Sequence, residues 1–351
     1  MIIIVSSRAT DKDIDNIIGN LKERGYGVHL SRGVEKTIIG AIGAPDEDKL
    51  IIAQQIETLP FVERVVPILK PYKIVSREFH PDKTVIKVRD VEIGGSEVVV
   101  MAGPCSIEDE AQTLETARAC RQAGARILRG GAFKPSTSPY SFHGLGEDGL
   151  KILDAARAET GMPIITEVMD TRDVEMVLKY ADILQVGTRN MTNFALLKEI
   201  GLARTPVMLK RGMAATIEEW LQAAEYIATR GNYDIILCER GIRTFETLTR
   251  YTFDINAIPA VAELSHLPII ADPSHGTGRW QLVGPVSKAA VAAGADGLMI
   301  EVHPEPQRAL KDGPQSLKPD KFARLMRELV PIILAVDRIP SWSGMSELAG
   351  D

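Results

Sequence analysis

Three cysteines among 351 residues, Cys105, Cys120 and Cys238, form neither an even framework nor a C-x-x-C pair, which argues against a disulfide scaffold. A thiol or thiolate role stays open. Long apolar runs are also missing: no stretch approaches a membrane span, and Ile2 to Val5 is too short for a secretory signal core and lacks a basic flank. The chain is therefore expected to be cytoplasmic and to have no membrane partner. Positive charge is not in excess, and a net charge of −6 argues against nucleic acid as a partner. No G-x-G-x-x-G follows any apolar run, so a doubly wound dinucleotide-binding sheet has little support. What remains is a globular composition, 45% hydrophobic and 25% charged with a mean hydropathy near zero. It suits one large core and a smaller one.

The smaller core is read from the first seventy or so residues. Apolar alternation and helical spacing give a strand at Ile2 to Val5, a helix at Asp11 to Arg24, strands at Gly27 to Leu30 and Thr37 to Gly43, a helix at Asp46 to Thr58 and a strand at Val62 to Leu69. That βαββαβ order is the ferredoxin-like split motif. Thr10 stands at the N-cap position, with Asp11 and Asp13 complementing the helix dipole. Residues 71–96 are expected to be a linker from Pro71, then a hairpin of Thr84 to Val88 against Val91 to Ile93 that caps the larger domain.

From residue 97 to 338 the pattern repeats as apolar strand, polar cluster and helix. The eight expected strands end in Met101-Ala-Gly-Pro-Cys-Ser106, Leu128-Arg-Gly-Gly131, Ile165-Thr-Glu167, Gln185-Val-Gly-Thr-Arg-Asn190, Leu209-Lys-Arg-Gly212, Cys238-Glu-Arg-Gly241, Ala271-Asp-Pro-Ser-His275 and Ile300-Glu-Val-His303. Such spacing predicts a (β/α)8 TIM barrel, whose active site lies at the C-terminal strand ends. Ser106 with Asp109 resembles a capping box for the first barrel helix. Residues 339–351 read as a polar tail expected to fray from Ser341 onward.

The strand ends bring two chemistries to one face. Arg129, Lys134, Arg189, Lys210, Arg211, Arg240, Arg243 and Arg279 make a cationic mouth on an acidic protein, suited to a small polyanion bearing phosphate or carboxylate. Cys105, His275, Glu301 and Asp312 form a mixed S/N/O set able to hold one divalent ion with a position left open. Manganese, iron, cobalt and zinc all suit these donors. Cys120 and Cys238 read as structural.

Taken together, Gly103-Pro-Cys-Ser106, Arg129-Gly-Gly-Ala-Phe-Lys-Pro135, Gln185-Val-Gly-Thr-Arg-Asn190, Leu209-Lys-Arg-Gly212, Cys238-Glu-Arg-Gly241, Asp272-Pro-Ser-His275 and Glu301-Val-His-Pro304 resemble the 3-deoxy-7-phosphoheptulonate (DAHP) synthases, in the subgroup with an N-terminal ferredoxin-like domain. The resemblance implies a metal-dependent condensation of phosphoenolpyruvate with erythrose 4-phosphate, the first step towards aromatic amino acids. It implies Cys105, His275, Glu301 and Asp312 as metal ligands. Arg129, Lys134, Thr188, Arg189, Lys210 and Arg240 then hold phosphoenolpyruvate, and Lys134 also transfers a proton. The metal either polarises the aldehyde oxygen or positions the water that adds at C2.

One departure stands in the segment after the lysine. The family pattern Lys-Pro-Arg-Thr-Ser is here Lys134-Pro-Ser-Thr-Ser138, so Ser136 replaces the arginine that grips the aldose phosphate. That grip is assigned to Pro135, Thr137 and Ser138, helped by Arg279 or Arg243. The alternatives are a 3-deoxy-octulosonate 8-phosphate synthase using arabinose 5-phosphate, or a ligand-binding barrel without catalysis. Residues 1–70, a self-contained unit that carries none of the assigned chemistry, are expected to be a regulatory module; the resemblance implies tyrosine or phenylalanine as its effector and a homo-oligomer, a tetramer by preference, while alternation on the second strand puts His29 and Ser31 on one face as expected contacts.

Overall fold

Thr10 accepts the Asp13 N–H on its hydroxyl and Asp13 returns the bond to the Thr10 N–H, a reciprocal cap that starts the first helix where the sequence places it. The computed structural model describes residues 1–33, 36–43, 49–66, 71–135 and 138–342. It divides into two units, Met1–Asp82 with Leu264–His266, and Lys83–Glu263 with Leu267–Asp351.

In the first unit β1 (Ile2–Val5), α1 (Asp11–Glu23), β2 (Gly27–Arg32), β3 (Thr37–Ile42), α2 (Lys49–Glu57) and β4 (Val62–Val66) come in the expected order. The antiparallel sheet runs β2-β3-β1-β4, the ferredoxin-like arrangement. Ile3, Val5 and Ile39 from the sheet meet Ile14, Ile17 and Leu21 from α1 and Ile56 from α2 in one buried cluster. Each such side chain contributes about 1.5–3 kcal/mol on burial. The expected first turn of α2 and the end of β4 lie outside the described residues.

The second unit opens with a hairpin, β5 (Ile86–Val88) and β6 (Val91–Ile93), and continues through β7 (Glu97–Gly103), α3 (Glu110–Gln122), β8 (Ile127–Arg129), α4 (Glu147–Thr160), β9 (Ile164–Glu167), α5 (Val174–Leu178), β10 (Ile183–Val186) and α6 (Phe194–Ile200). It goes on with β11 (Val207–Lys210), α7 (Ile217–Ala228), β12 (Ile235–Glu239), α8 (Ala257–Leu264), β13 (Ile269–Ala271), α9 (Pro273–Thr277), α10 (Trp280–Ala292), β14 (Gly297–Glu301) and α11 (Pro319–Ala335). Strands β7 to β14 pair in parallel with each neighbour, and β14 returns to β7 with Gly297 opposite Val99 and Glu301 opposite Gly103. The sheet is a closed eight-stranded barrel.

Alternate residues fill the barrel: Val99 and Met101, Ile127, Ile165, Ile183, Met208, Ile236 with Cys238, Ile270 and Met299 form one cluster with Ile86, Val88, Val91 and Ile93 of the hairpin. Because the hairpin leads directly into the start of β7, it caps the N-terminal end of the strands. The polar C-terminal ends are left to chemistry.

Two expectations are corrected. Asp109, not Ser106, caps α3 by accepting the Gln112 N–H, since the Ser106 hydroxyl is committed to Glu108 and its backbone bridges to Gly131. The chain after residue 338 does not begin as a tail: β15 (Ile339–Pro340) pairs with β7, the Ser341 N–H donates to the Val98 carbonyl, and Trp342 is buried.

Candidate active site

At the end of β7 a side chain at residue 103 would put its Cβ 2.1 Å from the Arg129 carbonyl oxygen, so glycine alone lets the ends of β7 and β8 converge. That approach places Cys105, just past β7, beside Lys134: the Lys134 ammonium donates to the Cys105 carbonyl at 3.0 Å and lies 3.1 Å from its Sγ. Across the barrel, Asp272 comes directly after β13 and accepts the His275 N–H, starting the short α9 that presents His275. Glu301 ends β14. Asp312 lies in the loop beyond it, in the left-handed region at φ 53°.

The ligating atoms of Cys105, His275, Glu301 and Asp312 all lie within 4.8 Å of one another. Sγ of Cys105 is 3.4 Å from Oδ2 of Asp312, and Nε2 of His275 is 3.3 Å from Oε1 of Glu301. The histidine is arranged as a ligand. Its Nδ1 faces Asp272 at 2.8 Å, so the neutral ring carries its proton there and turns the Nε2 lone pair to the quartet. Burial lowers the His275 pKa and keeps that ring neutral. Burial would raise the Asp312 pKa, but the charges of Arg250 and Lys134 help to outweigh it and hold the carboxyl at about 2. For Glu301, too, burial is opposed by the charges of Arg129 and Lys134, and the pKa is lowered. Burial first, then the Glu301 charge, pushes the Cys105 thiol up to about 12. Two carboxylates, a neutral imidazole and a thiol awaiting a cation fit a divalent transition ion.

Beside the quartet opens a cavity of about 230 Å³ lined by Arg129, Lys134, Arg189, Lys210 and Arg240, with Pro135 and Thr188 among its other walls. Arg129, Lys134, Lys210 and Arg240 are each at least nine-tenths buried. Arg129 donates to the Pro104 carbonyl at 2.8 Å and to Glu301 at 3.1 Å, while its Nε is buried without a partner among the described residues. The Nε of Arg240 is likewise unpaired, and its guanidinium lies 3.8 Å from the centre of the Tyr251 ring. Buried cations with unspent donors call for an anion. Residues 78–335 match the DAHP synthetase I family, and residues 1–70 match the DAHP synthase ferredoxin-like domain.

The chain belongs to the DAHP synthetase I family. Members of this family are in general metal-dependent, in keeping with the quartet. The chain is similar to the phospho-2-dehydro-3-deoxyheptonate aldolase of Thermotoga maritima, 50% identical over 94% of this chain and 96% of the relative. The crystal structure of a Thermotoga maritima DAHP synthase superposes with a TM-score of 0.77 at 48% identity, covering 97% of this chain and 98% of that one. A 2-dehydro-3-deoxyphosphooctonate aldolase from Syntrophotalea carbinolica is 36% identical over 70% of this chain and 95% of the relative.

Within this member of the family, three of the expected mouth cations go elsewhere. Arg211 is buried on Glu239 and Asp254, at 2.9 and 2.8 Å, because its side chain leaves the strand on the opposite side from Lys210. Arg243 contacts the Met213 sulfur in a neighbouring groove, and Arg279 stands at the N-cap position of α10, with no side-chain capping bond, and does not line the cavity. Ser138 is not a lining residue either; its hydroxyl accepts the Tyr140 N–H. Ser136 and Thr137 lie outside the described residues. His29 is half-buried on β2 with its ring 5.1 Å from that of Phe79, and burial lowers its pKa; Ser31 lies two residues further along the same strand.

Other polar groups of the site were not singled out from sequence: Asp272, Glu167, Gln185, Arg250, Lys311 and Gln315. Glu167 lines the cavity, accepts Gln185 Nε2 at 3.2 Å on one oxygen, and has its other oxygen buried without a partner among the described residues. A Cβ on residue 187 would lie 2.0 Å from that second oxygen, so Gly187 makes room for it. Arg250 donates to Asp312 at 3.0 Å and to Gln315 at 2.9 Å, and Gln315 in turn donates to Glu301 at 2.7 Å.

Proposed function

We propose that the chain condenses phosphoenolpyruvate with erythrose 4-phosphate to give 3-deoxy-7-phosphoheptulonate and phosphate, the entry to aromatic amino-acid synthesis. The observation that carries this reading is the quartet opening directly onto a cavity of buried, under-paired cations. Arg129, Arg189, Lys210 and Arg240, with Thr188, are assigned to the phosphate and carboxylate of phosphoenolpyruvate, fixing the plane of the enol so that C3 faces the aldehyde. Cys105, His275, Glu301 and Asp312 would hold the divalent ion. When bound, it supplies Lewis acidity for the aldehyde oxygen or for a water.

Lys134 acts as the acid. Burial would lower its pKa, but the neighbouring negative charges, Glu301 and Glu167 among them, leave it raised, so the group is an ammonium that can protonate the aldehyde oxygen as C3 attacks. The unpaired oxygen of Glu167 accepts a proton from the water that adds at C2. Collapse then breaks the bond between C2 and the bridging oxygen, which leaves with the phosphate, and the water oxygen remains as the ketone.

The aldose phosphate is assigned to Arg250 and Lys311 at the rim, in place of the absent arginine at residue 136. The octulosonate reading is weaker, because the relatives that favour it are less similar and match only about the barrel. Phosphoenolpyruvate carrying ¹⁸O at the bridging position tests the reading. Label recovered in inorganic phosphate, only when erythrose 4-phosphate and a divalent ion are both supplied, supports it; no turnover by the metal-loaded chain rejects it.

A further inference from the structure

Two segments that together carry three of the quartet, the β7-to-α3 connection with Cys105 and the stretch from the end of β14 with Glu301 and Asp312, meet at a carboxylate outside it. Glu108 lies three residues past Cys105. Its Oε1 accepts the Ser106 hydroxyl at 3.3 Å and the Leu310 N–H at 2.8 Å, and its Oε2 stands 3.5 Å from Nε2 of His303. Each of these partners is close to a ligand in sequence: Ser106 is next to Cys105, His303 comes two residues after Glu301, and Leu310 two before Asp312.

The pair is built rather than incidental. The side chains of Glu108 and His303 are only 10% and 6% exposed. Nδ1 of His303 accepts the Glu305 N–H at 3.0 Å, which leaves the ring proton on Nε2, a buried atom 3.5 Å from Glu108 and without a hydrogen-bond partner among the described residues. Asp312 meanwhile holds a left-handed backbone at φ 53°, a conformation that persists where neighbouring bonds impose it. The bond from Leu310 to Glu108 is one such tie, two residues away.

We propose that Glu108, with His303, is a positioning pair that fixes the spacing of Cys105, Glu301 and Asp312 and thereby sets the affinity of the quartet for its divalent ion. Neither residue belongs to the quartet or lines the substrate cavity. The inference rests on reading the quartet as a cation site. Groups that orient metal ligands in this way typically change affinity about 10- to 100-fold when removed.

The test uses the full chain, stripped of metal and titrated with Co(II) and Zn(II) against a chromophoric chelator, for the parent, Glu108→Ala, Glu108→Gln and His303→Gln. Glu108→Ala is expected to raise the metal Kd about 10- to 100-fold and to alter the thiolate-to-Co(II) charge-transfer band. Glu108→Gln keeps the acceptor for Leu310 and is expected to recover part of the loss. At saturating metal the KM for phosphoenolpyruvate stays at the parent value in each. Should Glu108→Ala fail to fold, Glu108→Gln and His303→Gln carry the test. A folded Glu108→Ala, or in its absence folded Glu108→Gln and His303→Gln, with a metal Kd within about twofold of the parent overturns the inference, even where Tm falls. A parent chain that binds neither ion overturns the cation reading itself, a separate failure.

Discussion

Nδ1 of His275 lies 2.8 Å from Oδ2 of Asp272, and the same oxygen accepts Lys210 Nζ at 2.6 Å. Burial alone would raise the Asp272 pKa, but His275 and Lys210 hold it well below the ordinary carboxylate range. One ionised carboxylate therefore sets the tautomer of the imidazole facing the quartet and anchors an ammonium facing the cavity. Asp272→Asn, nearly isosteric, is expected to fold, to weaken divalent-ion binding about 10- to 100-fold and to raise the KM for phosphoenolpyruvate. Metal titration and steady-state kinetics check both effects. A change in neither would show that His275 and Lys210 are placed by other contacts.

Cys105 is expected to be a thiol in the metal-free protein at neutral pH, since burial and the Glu301 charge push its pKa to about 12. A cation must displace that proton. His275 is kept neutral by burial and Asp312 stays ionised with a pKa of about 2, so no other quartet member has a proton to give. Binding should therefore release about one proton per ion near pH 7. Calorimetry in buffers of different ionisation enthalpy measures this. Cys105→Ser should abolish most of the release and nearly all turnover while leaving a folded barrel; full release from the serine variant would remove Cys105 from the ligand set.

The fold was largely legible because its signals are periodic. Apolar strands of three to seven residues alternate with helices, and Thr10 caps the first of them as its position suggests. The quartet was legible because each ligand type stands at or just beyond a strand end. What escaped depends on partners distant in sequence. Lys210 and Arg211 are adjacent cations, and only the positions of Asp272, Glu239 and Asp254 decide that one belongs to the site and the other to a buried ion pair. Arg250 and Lys311 stand in long loops without a period to place them. Strand β15, at two residues, is too short to alternate.

Arg250 provides the test of the aldose end. Arg250→Ala, assayed at saturating metal, is expected to raise the KM for erythrose 4-phosphate about 10- to 100-fold, the loss of a charge-assisted contact worth roughly 1.5–3 kcal/mol. The KM for phosphoenolpyruvate and the rate with unphosphorylated erythrose should stay near parental values. Ser136→Arg should lower the KM for erythrose 4-phosphate. Equal losses with erythrose and its phosphate would make Arg250 a support for Asp312 rather than a phosphate ligand.

Among the described residues the cavity lining comes from the second unit alone, and we propose that the first senses an aromatic amino acid through the face bearing His29 and Ser31. Inhibition then requires that tyrosine or phenylalanine favour one arrangement of the protein over another. Removing residues 1–70 should abolish inhibition and retain catalysis. Equal inhibition of full-length and shortened chains, or none in the full-length chain, would refute a sensory role.

The most direct test of the account is the choice of aldose. With the metal-loaded full-length chain and saturating phosphoenolpyruvate, kcat/KM for erythrose 4-phosphate is expected to exceed that for arabinose 5-phosphate by more than about tenfold. A preference for arabinose 5-phosphate, or turnover of neither sugar, would contradict it.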